Sequence, residues 1–249
     1  MNRTLSIWPR VAVCIAALTA ATQLTHTAQA VTVPFVEDFN TDSANWGNFE
    51  AANSNPSIPG FQTGGPANWV SSGGPDGSGY ASVDFAFGDF TSPFGGPTLF
   101  RGQDEFNSSN GDYIGDWLTN GIRTVRYSVR HNAPVPIPLG VRVSTPFNFP
   151  GASAVIQGPP VPPNIWTELV FDLSPGSPQI VSTSGQPYNS IFANVGHIQI
   201  TSSIPTALIG DPTVYTFDLD NVTAVPEPAA VSMLTLAAVL GLGRRRIRN

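Results

Sequence analysis

The chain has 249 residues, 24 glycines, 24 prolines, one cysteine and a formal net charge of −6. Residues 31–225 include five arginines and sixteen acidic residues, which gives this part of the chain a formal net charge of −11. The whole chain lacks lysine. This charge excludes nucleic acid and anionic lipid headgroups as main partners and favours cations, neutral polymers such as polysaccharides, or other proteins. Fifteen phenylalanines and five tryptophans exclude a disordered chain.

The first 30 residues have the pattern of a secretory signal peptide. Arg3 and Arg10 precede an apolar segment over residues 11–21, and a polar stretch then ends in the small-x-small motif of residues 28–30. We expect cleavage after Ala30. The lone Cys14 lies inside the apolar segment, so we expect neither lipidation nor a disulfide in the mature chain.

The body of the chain alternates apolar and polar residues with a period of two and shows no helical period of useful length. Clusters of glycine and proline separate the alternating segments. One apolar and one polar face per strand predicts an all-β fold, a single antiparallel β-sandwich formed by residues 31–224. The expected strands lie at residues 33–39, 46–49, 80–87, 124–130, 139–144, 169–173, 197–200 and 215–220.

Residues 35–39 (FVEDF) open the mature chain, Trp46 follows, residues 166–173 (WTELVFDL) lie between, and residues 215–222 (YTFDLDNV) close it. This order resembles galactose-binding-like jelly rolls, the fold of many carbohydrate-binding modules. The resemblance implies that the first and last strands pair. It also implies a structural Ca²⁺ where their acidic residues meet, with Glu37 or Asp38 and Asp220 as ligands.

The residues themselves favour calcium in part. Ca²⁺ binds hard oxygen ligands, and residues 38–42 offer three oxygen side chains at alternate positions. Ser43 and Phe49 at the sixth and twelfth positions exclude an EF-hand. The alternative is that these acids simply face solvent.

Sugar binding needs aromatic rings for the C–H face of a sugar and polar groups for its hydroxyls. Five aromatic residues lie in or beside loop-like, polar stretches and are the candidate platforms; the alternative for each is packing in the core or in a turn. They are Trp69, Tyr80, Tyr113, Trp117 and Tyr188. Trp46 and Trp166 lie beside strand patterns, so we expect both in the core.

Catalysis has little support in the sequence. The mature histidines, His131 and His197, stand alone, and we expect His197 at the surface or in a turn. The Gly77-Ser78-Gly79 triplet lacks the spacing of a nucleophile elbow. We therefore expect no enzyme, with a glycoside hydrolase that uses two of the many carboxylates as the alternative.

The C-terminal residues 225–249 carry Pro226-Glu227-Pro228, an uncharged apolar run over residues 229–242, and Arg244-Arg245-Arg246. As a helix the run would be roughly 21 Å long, shorter than the ~30 Å core of a bilayer, with the arginines on the cytoplasmic side. The three elements resemble the PEP-CTERM sorting signal. The resemblance implies export in an exopolysaccharide-producing, Gram-negative-type bacterium and recognition by an exosortase-type membrane enzyme. A plain tail anchor is the alternative.

Together these features predict a protein that signal peptidase processes, that the C-terminal helix anchors transiently, and that reaches the cell surface or extracellular matrix. There we expect it to bind or structure exopolysaccharide without catalysis. The alternatives are a secreted jelly-roll polysaccharide hydrolase and a purely structural surface protein without a ligand.

Overall fold

The structure is a computed structural model, and it describes residues 31–48, 65–88, 90, 97–146, 151–152, 158–180 and 185–227. The predicted signal peptide and the predicted sorting elements after Glu227 lie outside these residues. Within the described ranges, no helix has both the length and the apolar character needed to cross a membrane.

The described chain is almost entirely β-structure, with one short helix, α1 (Tyr188–Phe192). The strands in chain order are β1 (Phe35–Glu37), β2 (Gly47–Asn48), β3 (Gly65–Pro66), β4 (Asn68–Val70), β5 (Tyr80–Ala86), β6 (Thr98–Gln103), β7 (Ile122–His131), β8 (Leu139–Ser144), β9 (Gly151–Ala152), β10 (Thr167–Asp172), β11 (His197–Ser202) and β12 (Val214–Pro226). Short 3₁₀ turns lie at Asp104–Phe106, Ser108–Gly111 and Thr206–Leu208.

The strands form two antiparallel sheets. Sheet A has the order β10-β7-β12-β5-β4, with β1 also paired to β12, and sheet B has the order β3-β2-β6-β11-β8-β9. Apolar side chains from both sheets form one core between them. The predicted antiparallel β-sandwich is confirmed, and each sheet has an inner face toward this core and an outer face away from it.

The predicted pairing of the first and last strands is also confirmed. Phe35 of β1 lies opposite Ala224 of β12, and Glu37 lies opposite Val222. Asn221 has a φ of 53°, in the left-handed region, beside the register shift between β12 and β7. The local irregularity leaves Asp220 on the outer face while Val222 returns to the core.

Strand β12 runs two residues beyond the expected domain boundary at residue 224. Val225 pairs with Thr124, and Pro226 pairs with Ile122. The Glu227 backbone N–H donates to the Gly121 carbonyl oxygen (3.2 Å), and its carboxylate accepts from the Ser174 hydroxyl (3.0 Å). The first two residues of the Pro-Glu-Pro motif therefore belong to the sandwich.

Strand β6 has no counterpart among the strands expected from the sequence, because its apolar pattern breaks at a glycine. Gly102 takes an inner position of this strand, and a Cβ atom there would lie 2.6 Å from the Trp46 ring. Glycine is the residue that lets the backbone approach the indole this closely. Trp46 is fully buried, as predicted, and its Nε1 donates to the Ser109 hydroxyl (2.8 Å).

Trp166 is not in the core, and the prediction that placed it there is wrong. Its side chain lies on the outer face of sheet A, half-buried, where its ring contacts Tyr80. Its Nε1 donates to the Gly73 carbonyl oxygen (2.9 Å). The indole thereby holds the glycine-rich loop between β4 and β5 against the sheet.

Candidate binding face on sheet B

Three neighbouring strands of sheet B place polar side chains on their outer side. Inner positions of β8 and β11 carry apolar core residues such as Val141, Val143, Ile198 and Ile200. The alternate positions of β6, β8 and β11 point away from the core. We call this set the sheet B face; its members are Arg101, Gln103, Arg142, Ser144, His197, Gln199 and Thr201.

The strand register arranges this face in rows. His197 on the central strand β11 lies between Gln103 of β6 and Ser144 of β8. In the next row, Gln199 lies between Arg101 of β6 and Arg142 of β8. Since neighbouring strands lie ~4.8 Å apart, the Cα atoms of the two arginines are about 10 Å apart.

These polar side chains are buried although they face away from the apolar core. His197 and Gln199 are each 1% exposed, and Gln103 is 6% exposed. Buried polar atoms nearly always have a hydrogen-bond partner. Gln103 Oε1 and His197 Nδ1 have none within the described part of the chain. We call these two atoms the open acceptors.

Burial sets the protonation state of His197, and its partner sets which ring nitrogen carries the proton. Its Nε2 lies 2.7 Å from Oε2 of Glu105, which belongs to the 3₁₀ turn directly after β6. Burial lowers the pKa of His197, Glu105 works in the opposite direction, and Arg142 and Arg101 lower it further. The imidazole is therefore neutral at neutral pH, with its proton on Nε2 facing the carboxylate and a lone pair on Nδ1. The expectation of a surface or turn histidine is wrong.

The second row supplies hydrogen-bond donors. Arg142 Nη1 donates to Gln199 Oε1 (2.7 Å), which fixes the orientation of the amide. Arg101 and Arg142 are both half-buried, unlike the nearly inaccessible Gln199 between them. The face thus combines two buried lone pairs that have no donor among the described residues with the guanidinium groups of two arginines, of which Arg142 donates to Gln199.

Two of the predicted sugar platforms lie in the core, which corrects the sequence-based expectation for them. Tyr113 and Trp117 have no exposed surface. The Tyr113 ring packs against Phe35, at a centroid distance of 5.4 Å, and Trp117 Nε1 donates to the Tyr113 carbonyl oxygen (2.7 Å). Neither ring is available to a ligand.

The other three predicted platforms are accessible, but none belongs to the sheet B face. Tyr188 is half-buried and stacks on Phe192 at 4.2 Å. Trp69 is 41% exposed at the edge of sheet A, where its Nε1 donates to the Phe39 carbonyl oxygen. Tyr80 lies on the outer face of sheet A. The structure therefore does not bring the five aromatic residues together.

The predicted calcium ligands meet in part. Glu37 accepts from the Phe39 N–H (3.0 Å) and Asp38 from the Asn40 N–H (3.2 Å). Asp220 is fully buried and accepts from the Asn221 N–H (2.7 Å) and the Ser78 hydroxyl (3.1 Å). Burial raises the pKa of Asp220 to about 6, and the nearby charges of Asp76 and Asp38 contribute.

Across the described ranges, no group of three or more His, Cys, Asp or Glu side chains is arranged to hold a metal ion. Calcium at Glu37, Asp38 and Asp220 therefore stays a prediction.

No protein-family model matches the chain, and no curated protein matches it either. Several solved structures are similar in fold. The CBM22-1–GH10 modules of endo-1,4-β-D-xylanase 10B from Clostridium thermocellum, complexed with xylohexaose, share 16% identity over 79% of this chain at a TM-score of 0.43. This chain covers 29% of that structure.

Two further similar structures are single domains. The K2 cleaved adhesin domain of Lys-gingipain shares 16% identity over 78% of this chain and 99% of its own, with a TM-score of 0.41. The CBM22-1 xylan-binding domain of Paenibacillus barcinonensis Xyn10C shares 13% identity over 80% of this chain and 99% of its own, with a TM-score of 0.40. Likenesses at this level do not decide what this chain binds.

Proposed function

We propose that this protein is a non-catalytic polysaccharide-binding protein and that its sheet B face is the binding surface. The open acceptors are the observation that carries the proposal. A buried acceptor without a donor costs folding free energy, on the order of 1–3 kcal/mol. Sugar hydroxyls donate to such atoms, so a polysaccharide chain that displaces the groups covering Gln103 Oε1 and His197 Nδ1 would satisfy both atoms and offset that cost.

The side chains of the sheet B face suit binding better than hydrolysis. Glycoside hydrolysis in its usual form requires two carboxyl groups flanking the scissile bond. The two rows of this face consist of arginine, glutamine, serine and histidine side chains. Glu105, at the margin of the face, is already engaged by His197 at 2.7 Å. These groups orient a polymer and supply hydrogen bonds.

Export and surface sorting complete the proposal. Its support is the pattern of the first 30 residues together with Pro226-Glu227-Pro228, the apolar run and Arg244-Arg245-Arg246. In this scheme signal peptidase and an exosortase-type enzyme process the two ends of the chain. The acidic sandwich then remains at the cell surface or in the extracellular matrix, where exopolysaccharide is the available polymer.

Affinity electrophoresis of the mature secreted protein tests the binding function. Gels containing xylan, mixed-linkage β-glucan, polygalacturonate or no polymer are compared. We expect retardation by at least one polymer, without release of reducing ends. Gln103→Leu removes one open acceptor, so we expect it to weaken binding about tenfold.

Asn68→Ala, at an exposed position of β4 in sheet A, is the matched control and should bind as the wild type does. If no polymer retards the protein, or if Gln103→Leu binds as tightly as wild type, the sheet B face is not the binding surface. Release of reducing ends would instead support the hydrolase.

A further inference from the structure

The last strand of the sandwich and the apolar C-terminal run are almost adjacent in the chain. Strand β12 extends to Pro226, and Glu227 is hydrogen-bonded to the body of the sandwich. The uncharged apolar run begins at residue 229, so Pro228 alone separates it from Glu227. An enzyme that handles the Pro-Glu-Pro motif therefore meets a segment of which two residues already belong to the fold.

Backbone pairing holds this segment on the sandwich. Val225 lies opposite Thr124 and Pro226 lies opposite Ile122, both on β7, and the two residues of β12 are half-buried. The Glu227 N–H then donates to the Gly121 carbonyl oxygen (3.2 Å), one residue before β7 begins. Because β7 lies inside sheet A, between β10 and β12, its positions for pairing are fixed by neighbours on both sides.

A side-chain contact holds the same segment from a second direction. The Ser174 hydroxyl donates to Glu227 Oε1 (3.0 Å). Ser174 is itself positioned, because its N–H donates to Asp172 Oδ1 (2.9 Å) at the end of β10. The preceding carbonyl oxygen, of Leu173, accepts from the Tyr188 hydroxyl (2.7 Å). Glu227 is thus bound through its backbone and through its carboxylate.

These contacts compete with any enzyme that binds the segment as a substrate. Proteins that bind an extended peptide take its affinity from main-chain hydrogen bonds. Cleavage within residues 225–227 therefore requires the end of β12 to separate from β7, with loss of the pairing and of the Ser174 bond. Pro228 has no backbone N–H, so it cannot extend the strand ladder by a further N–H bond.

We propose that the folded sandwich sets the processing position: the bond that the sorting enzyme breaks lies C-terminal to Glu227. Pro226 and Glu227 then stay on the mature body. This inference rests on the proposed surface sorting and locates its modification site. In this step an amide C–N bond breaks and the carbonyl carbon is transferred to water or to an acceptor amine. The nitrogen leaves with a proton and becomes the new N-terminus of the apolar run.

Limited proteolysis of the full chain tests the protection without a sorting enzyme. The protein is purified in detergent micelles and digested briefly with proteinase K, and the body fragments are identified by intact mass. We expect the first body fragment to end at Glu227 or later. In urea, which unfolds the sandwich, cuts at the Ala224–Val225 and Pro226–Glu227 bonds should also appear.

Ser174→Ala removes one of the contacts and leaves the motif unchanged. We expect cuts before Glu227 to form about threefold faster in this variant, as loss of one exposed hydrogen bond predicts. Ser190→Ala, at an exposed position of α1, makes the same chemical change elsewhere and should match wild type. Equal rates in all three proteins contradict the part assigned to Ser174.

The intact mass of the processed surface protein gives the decisive result. A mature chain that ends at Glu227 or Pro228 supports the proposal. A mature chain that ends at or before Pro226, or early cuts that form as fast in the folded protein as in urea, overturns the processing position and leaves surface sorting intact. A surface protein that retains Arg244-Arg245-Arg246 overturns the proposed sorting itself, and the processing position with it.

Discussion

The outer faces of the two sheets are built from similar polar residues but differ in how those residues are satisfied. On sheet A, Arg130 donates twice to Asp218 Oδ2 (2.7 and 2.9 Å), and Ser82 donates to Asp218 Oδ1 (2.8 Å). The same guanidinium lies 4.7 Å from the centroid of the Trp166 ring and 5.3 Å from that of Tyr80. On sheet B, the open acceptors remain without donors among the described residues.

A polar outer face of a sheet can therefore either satisfy its own groups and stabilise the sandwich or leave buried groups unsatisfied. The sheet A network satisfies its own groups and stabilises the sandwich, since hydrogen-bonded pairs and rings stacked on a cation are favourable when partly buried. The sheet B face carries two buried acceptors without donors among the described residues, which cost stability and which the proposed ligand would satisfy.

Removing the Asp218 side chain breaks the sheet A network, and we expect it to have the largest effect on the stability of the protein. Asp218→Ala leaves Arg130, whose side chain is 28% exposed, without its carboxylate. We expect the free energy of unfolding to fall by about 2 kcal/mol, measured by urea denaturation, while polysaccharide binding stays unchanged. Arg126→Gln at an exposed site of the same sheet should change stability by less than about 0.5 kcal/mol. Equal stability of the two variants would mean that the network contributes nothing.

Asp220, on the same sheet, makes the stability of the folded protein depend on pH. Its pKa of about 6 in the folded chain exceeds the ordinary 3.8. The folded protein therefore holds this proton more strongly, and the contribution of Asp220 to stability falls as pH rises from about 4 to about 6. In urea denaturation, the free energy of unfolding of Asp220→Asn should rise relative to that of wild type by about 1–2 kcal/mol from pH 4 to pH 7, allowing for screening by solvent. A difference between the two proteins that does not change with pH would contradict the raised pKa of Asp220.

The same two proteins test the calcium prediction. Bound Ca²⁺ would favour the ionised form of Asp220. Millimolar Ca²⁺ should then raise the melting temperature of wild type at pH 7, and EDTA should reverse the rise, with no change in Asp220→Asn. Identical melting curves for wild type with and without calcium would contradict the predicted calcium site.

Most of the fold was predictable because alternation is a local property. Strands such as β7, β8 and β12 carry apolar residues at every second position, and a sandwich follows directly from several such strands. Strand β6 was not predictable because Gly102 takes an inner position, and only the close approach of Trp46 explains it. Tertiary contacts of this kind have no signature in the local pattern.

The candidate site was less predictable, for two physical reasons. Position in a loop-like stretch does not determine exposure. Trp117 and Tyr113 lie in such a stretch, yet the bridge between Gly115 and Val195 ties it to the sandwich and buries both rings. The polar positions of β8 and β11 were visible as alternation, but nothing in the sequence shows that Gln199 and His197 are buried or that one of them has an open lone pair.

The variant with the smallest expected effect on stability, Gln103→Leu, distinguishes the outer faces of the two sheets most clearly. Gln103→Leu keeps the side-chain volume nearly constant and removes a buried oxygen that lacks a donor within the described chain. The bond from the Gln103 backbone N–H to the Ser108 hydroxyl (3.0 Å) does not involve the side chain and persists. Because a buried, unsatisfied group is removed, we expect the free energy of unfolding to stay constant or rise by up to about 1 kcal/mol, while polysaccharide affinity falls.

Ser82→Ala on sheet A is the reciprocal variant. It removes a hydroxyl that donates to Asp218 Oδ1 at 2.8 Å, so it should lose about 1 kcal/mol of stability and keep full affinity. Urea denaturation and affinity electrophoresis on the two variants give four values. If Gln103→Leu loses more stability than Ser82→Ala, Gln103 is a structural residue and the sheet B face is satisfied within the folded chain. If the effects cross as expected, stability resides on one outer face of the sandwich and recognition on the other.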